Sequence, residues 1–94
     1  LLVGSGRIAE HISALSRRHP EANIEVIGCL DDDPLQLSDD APRVLGGLSD
    51  LPSILAAGGV DRVVVCFSQA SDREIANALR TCDARDVPLD MVPR

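Results

Sequence analysis

The sequence contains no lysine, no tyrosine and no tryptophan, and Phe67 is its only aromatic residue. Without lysine there is no Schiff-base chemistry and no P-loop grip on a β/γ-phosphate. Without tyrosine there is no Tyr/Lys pair of the short-chain dehydrogenase kind. A chain with one aromatic side chain also offers no stacking platform for single-stranded nucleic acid. All nine basic residues are arginine, set against fifteen acidic ones, and the net charge is −6. No basic stripe exists, which argues against general DNA or RNA binding. Cysteine is sparse and scattered: Cys29, Cys66 and Cys82 form no CxxC or CxxH pattern. They read as small buried hydrophobes in a reducing compartment rather than as zinc ligands. No apolar run approaches the ~20 residues of a membrane span, and no signal-peptide pattern is present.

What is present is enough for one small domain. The chain has 94 residues, 45% of them hydrophobic, and the core must be built from Leu, Ile, Val and Ala. The first residue already lies in an apolar strand pattern, so the sequence reads as a single domain, residues 1–94, excised from a larger protein.

The apolar pattern alternates between short runs and helical periodicity. Leu1–Val3 reads as a buried strand and Gly4–Gly6 as a turn. A helix is expected from about Arg7 to His19, with Ile8, Ile12 and Leu15 on its inner face and Pro20 ending it. Ile24–Leu30 reads as a second strand, stopped by Asp31-Asp32-Asp33-Pro34. Residues 35–42 are polar and read as a surface loop. Val44-Leu45 is a short third strand closed by Gly46-Gly47. A second helix is expected over about Ser49–Ala57, capped by Ser49, with Pro52 in its first turn and Gly58-Gly59 beyond its end. Arg62–Phe67 is a central strand buried on both faces. Ser71-Asp72-Arg73-Glu74 is a capping box opening a third helix, with Ile75, Ala78, Leu79 and Cys82 turned inward. Leu89–Val92, entered through Pro88, is the last strand. Strands alternating with helices predict an α/β fold, a half-Rossmann-like doubly wound parallel sheet. Right-handed crossovers give about five strands in the order 3-2-1-4-5, with helices on both faces.

Within that frame Gly4-x-Gly6-x-x-Ala9 fits the G-x-G-x-x-G/A turn. The first glycine permits the bend, the second lets a phosphate approach the backbone, and the small Ala9 lets helix and strand pack closely. The helix N-terminus offers unpaired N–H groups and partial positive charge to an anion. The candidate contacts are Gly4, Ser5, Gly6, Arg7 and Ile8. A turn of this kind also serves Rossmann-like folds that bind nothing. Asp31, at the end of the second strand, is placed to meet a ribose hydroxyl, since the acidic residue belongs about 20 residues on. Alternatively the Asp run only ends the strand. Asp32 and Asp33 beside it would repel a 2′-phosphate. Ser68 and Gln69, on the carboxyl side of the central strand, border the ligand crevice and are candidates for a base or sugar. Ser71 reads as a cap. His11 and His19 read as surface residues. No acid/base pair, nucleophile elbow or metal cluster appears, so catalytic residues are not expected in this chain.

The segments LLVGSGRIAEHISAL, VIGCLDDDP, VLGGLSDLPSIL, VDRVVVCF and VPLDMVP together resemble one domain family across nearly the whole chain. It is the CoA-binding-like Rossmann domain of bacterial polyprenyl glycosylphosphotransferases. The resemblance rests on Gly4, Gly6, Gly28, Asp31, Asp32, Gly46, Leu51, Asp61 and Pro93. The chain departs from the family at Cys29, where an aromatic residue is common, and at Ser68-Gln69, where a proline-containing turn is expected. The resemblance implies a parent that transfers a sugar phosphate from a UDP-sugar to undecaprenyl phosphate in exopolysaccharide, capsule or O-antigen synthesis. It implies N-terminal membrane helices, this domain at the cytoplasmic face of the inner membrane, and a separate catalytic domain. This module would then sense a nucleotide or form a subunit contact, including a homodimer. Similar modules precede UDP-sugar 4,6-dehydratases and sugar N-acetyltransferases. The ligand expected is UDP or a UDP-sugar, with NAD second and coenzyme A disfavoured. No direct membrane insertion by this segment is expected.

Overall fold

The computed structural model describes residues 1–66 and 70–92. Five parallel strands form one sheet: β1 (Leu2–Val3), β2 (Cys29–Leu30), β3 (Val44–Gly46), β4 (Val63–Val65) and β5 (Leu89–Met91). Their spatial order is β3-β2-β1-β4-β5, as the right-handed crossover rule predicts. Leu2 stands between Cys29 and Val64, and Val3 between Leu30 and Val65. The central strand is therefore the first one in the chain.

Three helices cover the sheet: α1 (Arg7–Arg18), α2 (Leu51–Ala57) and α3 (Asp72–Asp83). One face packs Leu2, Ala9, Cys29 and Cys66 together, with Ile8, Ile12 and Val64 against them. The other joins Val3, Leu30, Val63 and Val65 to Leu51 and Leu55 of α2 and to Ala78 and Cys82 of α3. Alternate residues of β4 thus serve opposite faces; of the expected Arg62–Phe67 run, Val63–Val65 is strand, with Val63 and Val65 buried and Val64 half-buried, Arg62 is exposed, and Phe67 lies outside the described residues. The layers are α1, the sheet, and the α2–α3 pair.

Several expected boundaries shift. Of Ile24–Leu30 only Cys29–Leu30 is strand. Leu2 N donates to Gly28 O at 3.0 Å, so residues 24–27 find no partner on the β1 side. On the β3 side Cys29 N donates to Arg43 O, and Pro42 next to it has no N–H to give. Ile24 is accordingly 62% exposed. A cavity of about 350 Å³ opens there, lined by Leu1, Ile12, Ile24, Val26, Val60 and Val64.

The inner face of α1 also differs. Ala9, Glu10, Ser13 and Ala14 are the buried residues, and Leu15 is exposed. Ile8 and Ile12 pack against the core as expected, half-buried beside these small residues. Ser49 does not cap α2. A single 3-10 turn, Leu48–Asp50, precedes that helix, and Asp50 Oδ2 accepts from Gly47 N at 3.0 Å instead. Pro52 does fall in the first turn of α2, and Gly58 follows its end at φ +83°. In α3 the capping box forms: Ser71 Oγ accepts from Glu74 N and Glu74 Oε1 from Ser71 N. Leu79, expected inward, is 46% exposed.

All three cysteines are buried and unpaired by disulfides. Burial raises each thiol above its ordinary value, Cys66 to about 11. His11 and His19 are both exposed, and His19 Nδ1 meets Glu21 Oε1 at 2.8 Å.

Candidate functional site

Because every strand runs the same way, the carboxyl ends of β1, β2 and β3 share one edge of the sheet. Val3 leads into Gly4, Leu30 into Asp31, and Gly46 into Gly47. Backbone bonds tie these ends together: Gly4 N donates to Leu30 O at 2.8 Å and Asp31 N to Gly46 O at 2.9 Å. In an open α/β sheet this edge forms the ligand crevice.

Gly4 and Gly6 have φ of +103° and +91°. With ψ at −157°, Gly6 occupies a region almost restricted to glycine. The chain therefore reverses from strand into helix within three residues. Gly6 precedes α1 as its N-cap, and no side chain caps the helix. The first intrahelical bond runs from Glu10 N to Gly6 O at 3.0 Å. The amides ahead of it have no intrahelical acceptor, as at any helix start. Arg7 is exposed on this first turn. The Ile8 side chain packs into the core, so what it offers a ligand is its backbone N–H.

Ser5 and Asp31, expected to meet different parts of a ligand, are hydrogen-bonded to each other. Ser5 Oγ donates to Asp31 Oδ2 at 2.6 Å, and Asp31 Oδ1 accepts from Asp33 N at 3.0 Å. Ser5 Oγ also accepts from Leu35 N at 2.7 Å. Asp32 is exposed and lies where a side chain on Gly47 would collide with its carboxylate. Gly4, Ser5, Gly6, Asp31 and Asp32 thus gather at one edge. Ser68 and Gln69 lie outside the described residues.

Sequence reasoning missed Glu10. It sits in the first turn of α1, only 5% exposed. Its Oε2 accepts from Leu37 N at 2.6 Å and its Oε1 from Ser38 Oγ at 2.5 Å. These bonds hold its carboxyl below the ordinary carboxylate range, the Ser38 hydroxyl contributing most. Farther along the helix Arg17 pairs with Asp40 at 2.7 Å. The expected surface loop is therefore fastened at Ser5 in the turn and at Glu10 and Arg17 on α1. No local signal marked it: by the helical period Glu10 lies opposite the Ile8–Ile12–Leu15 stripe, and its partners are 27 and 28 positions away.

Among the described residues, no group of three or more His, Cys, Asp or Glu side chains could hold a metal ion, and no helix is long and apolar enough to cross a membrane. The fold is that of a Rossmann-like α/β domain. The profile of the CoA-binding domain family matches residues 1–93, and the chain belongs to that family. No curated protein and no solved structure matches it.

Proposed function

We propose that this domain binds a nucleotide, UDP or a UDP-sugar, at the Gly4–Ile8 turn and serves as the regulatory module of a membrane sugar-phosphate transferase. The observation that carries the binding is the glycine-only turn leading into an uncapped helix, with Asp31 at its side. Pyrophosphate would take the first-turn amides and Arg7. Asp31 would take a ribose hydroxyl, and Ser68 and Gln69 would border the base or sugar. The acidic run Asp31–Asp33 disfavours a ligand with a 2′-phosphate. The transferase role is supported by the resemblance of the whole motif set to domains of polyprenyl glycosylphosphotransferases. In that setting the missing partner is a hexose-1-phosphate transferase domain acting on undecaprenyl phosphate, at the cytoplasmic face of the inner membrane.

The same Asp31 supports NAD as a second reading, in a parent of the nucleotide-sugar dehydratase kind. A thermal-shift panel separates the two: UDP, UDP-glucose, UDP-galactose, UDP-N-acetylglucosamine, NAD, NADP and coenzyme A. A ligand at ~100 times its dissociation constant adds about 2.7 kcal/mol, which for a domain this size is on the order of 10 °C. The proposal expects UDP compounds to raise the Tm and Gly6→Val to abolish the rise. A rise with NAD alone would transfer the domain to the second reading. A rise with coenzyme A alone would overturn both.

A further inference from the structure

We propose that residues 31–38 form a strap latched over the glycine turn, and that a ligand reaches the turn only when Glu10 releases the strap. This rests on the nucleotide reading above and adds its regulation. The polar side chains that a ribose would use are already engaged. Asp31 has one carboxylate oxygen on Ser5 and the other on Asp33 N. The Ser5 hydroxyl donates to Asp31 and accepts from Leu35 N. A Cβ placed on Gly6 would touch Leu35 Cδ1 at 3.8 Å, so the leucine side chain lies beside the very glycine that a phosphate would approach.

The latch is the Glu10 carboxylate. It is an acceptor-only group set between two donors, Leu37 N and Ser38 Oγ, and it is buried in the first turn of the helix that would carry the anion. Leu35 and Leu37, by contrast, are 55% and 60% exposed. The strap is therefore held by these polar bonds and not by burial of its leucines. Such a segment can open without disturbing the core. Opening withdraws Leu35 N from the Ser5 hydroxyl and the Leu35 side chain from Gly6, while the Ser5–Asp31 bond between the strand ends stays for the ligand to replace.

The test is amide hydrogen exchange read together with UDP titration, on the wild type, Glu10→Gln and Ser38→Ala. Glutamine keeps the size but turns an amide donor toward a donor, and Ser38→Ala removes the bond to Glu10, with the Asp40 N bond to the same hydroxyl, while leaving α1 untouched. In both variants the Leu35 and Leu37 amides should exchange about tenfold faster while α3 amides do not change. UDP should bind up to about tenfold tighter, since the competent form is more populated. Unchanged exchange at Leu35 and Leu37 would overturn the latch. Equal UDP affinity in all three proteins, or a UDP complex in which both amides stay protected, would overturn the gate while leaving nucleotide binding intact. If no protein binds UDP, the UDP reading falls, and faster exchange in the variants still supports the latch.

Discussion

Single atoms decide much of this fold. Gly28 sits between β strands so close to its neighbours that a Cβ there would lie 2.7 Å from both Arg43 O and Leu45 Cγ. The backbone oxygen cannot retreat without breaking its bond from Cys29 N. Gly28→Ala should therefore destabilise the domain by about 1–3 kcal/mol, the usual cost of overpacking, measurable as a lower urea midpoint with an unchanged m-value. The cysteines illustrate a different residue-scale effect. Burial disfavours the thiolate, and Cys66 is pushed up to about 11. At pH 7.5 the native protein should react slowly with iodoacetamide at all three thiols, and quickly only after unfolding. Fast native labelling of Cys66 would contradict the packing described. The cysteines and Ala9 were legible in the sequence because small apolar residues within strong patterns are nearly always inside. Glu10 was not legible, because its partner Leu37 lies 27 positions away and no local periodicity records that contact.

At the scale of elements, local chemistry was the better guide where it was self-contained. The Ser71–Glu74 capping box could be read directly, and it forms as read. Ser71→Ala should cost about 1 kcal/mol and increase amide exchange in the first turn of α3 ahead of its last. Elements whose limits depend on a neighbour were misjudged. The apolar run Ile24–Ile27 has strand character, but a strand needs a partner, and the register with β1 exhausts the pairing at Gly28. Leu15 and Leu79 fit the helical period yet lie outside the contact, since the small residues beside them set how each helix rolls against the sheet. The 35–42 segment is the surface loop its composition implies; what composition does not show is its fastening to Ser5 ahead of α1 and to Glu10 and Arg17 on it.

For the molecule as a whole, the alternation of strand and helix was sufficient to give the topology. A right-handed crossover from β1 through α1, and another through α2 back past β1, leaves only the order β3-β2-β1-β4-β5. That order brings Gly4, Asp31 and Gly47 to one edge without any side chain having to choose a partner. The glycine turn and the acid beside it could therefore be located in advance, while the closed state of the edge could not. The proposed nucleotide at the Gly4–Ile8 turn, with its ribose on Asp31, is tested by an amide chemical-shift titration of the domain with UDP. Concerted, saturable shifts are expected at the amides of Gly4–Ile8, Asp31, Leu35 and Leu37, with α3 unmoved. Saturable shifts confined to another part of the surface, or none at millimolar UDP, would contradict it.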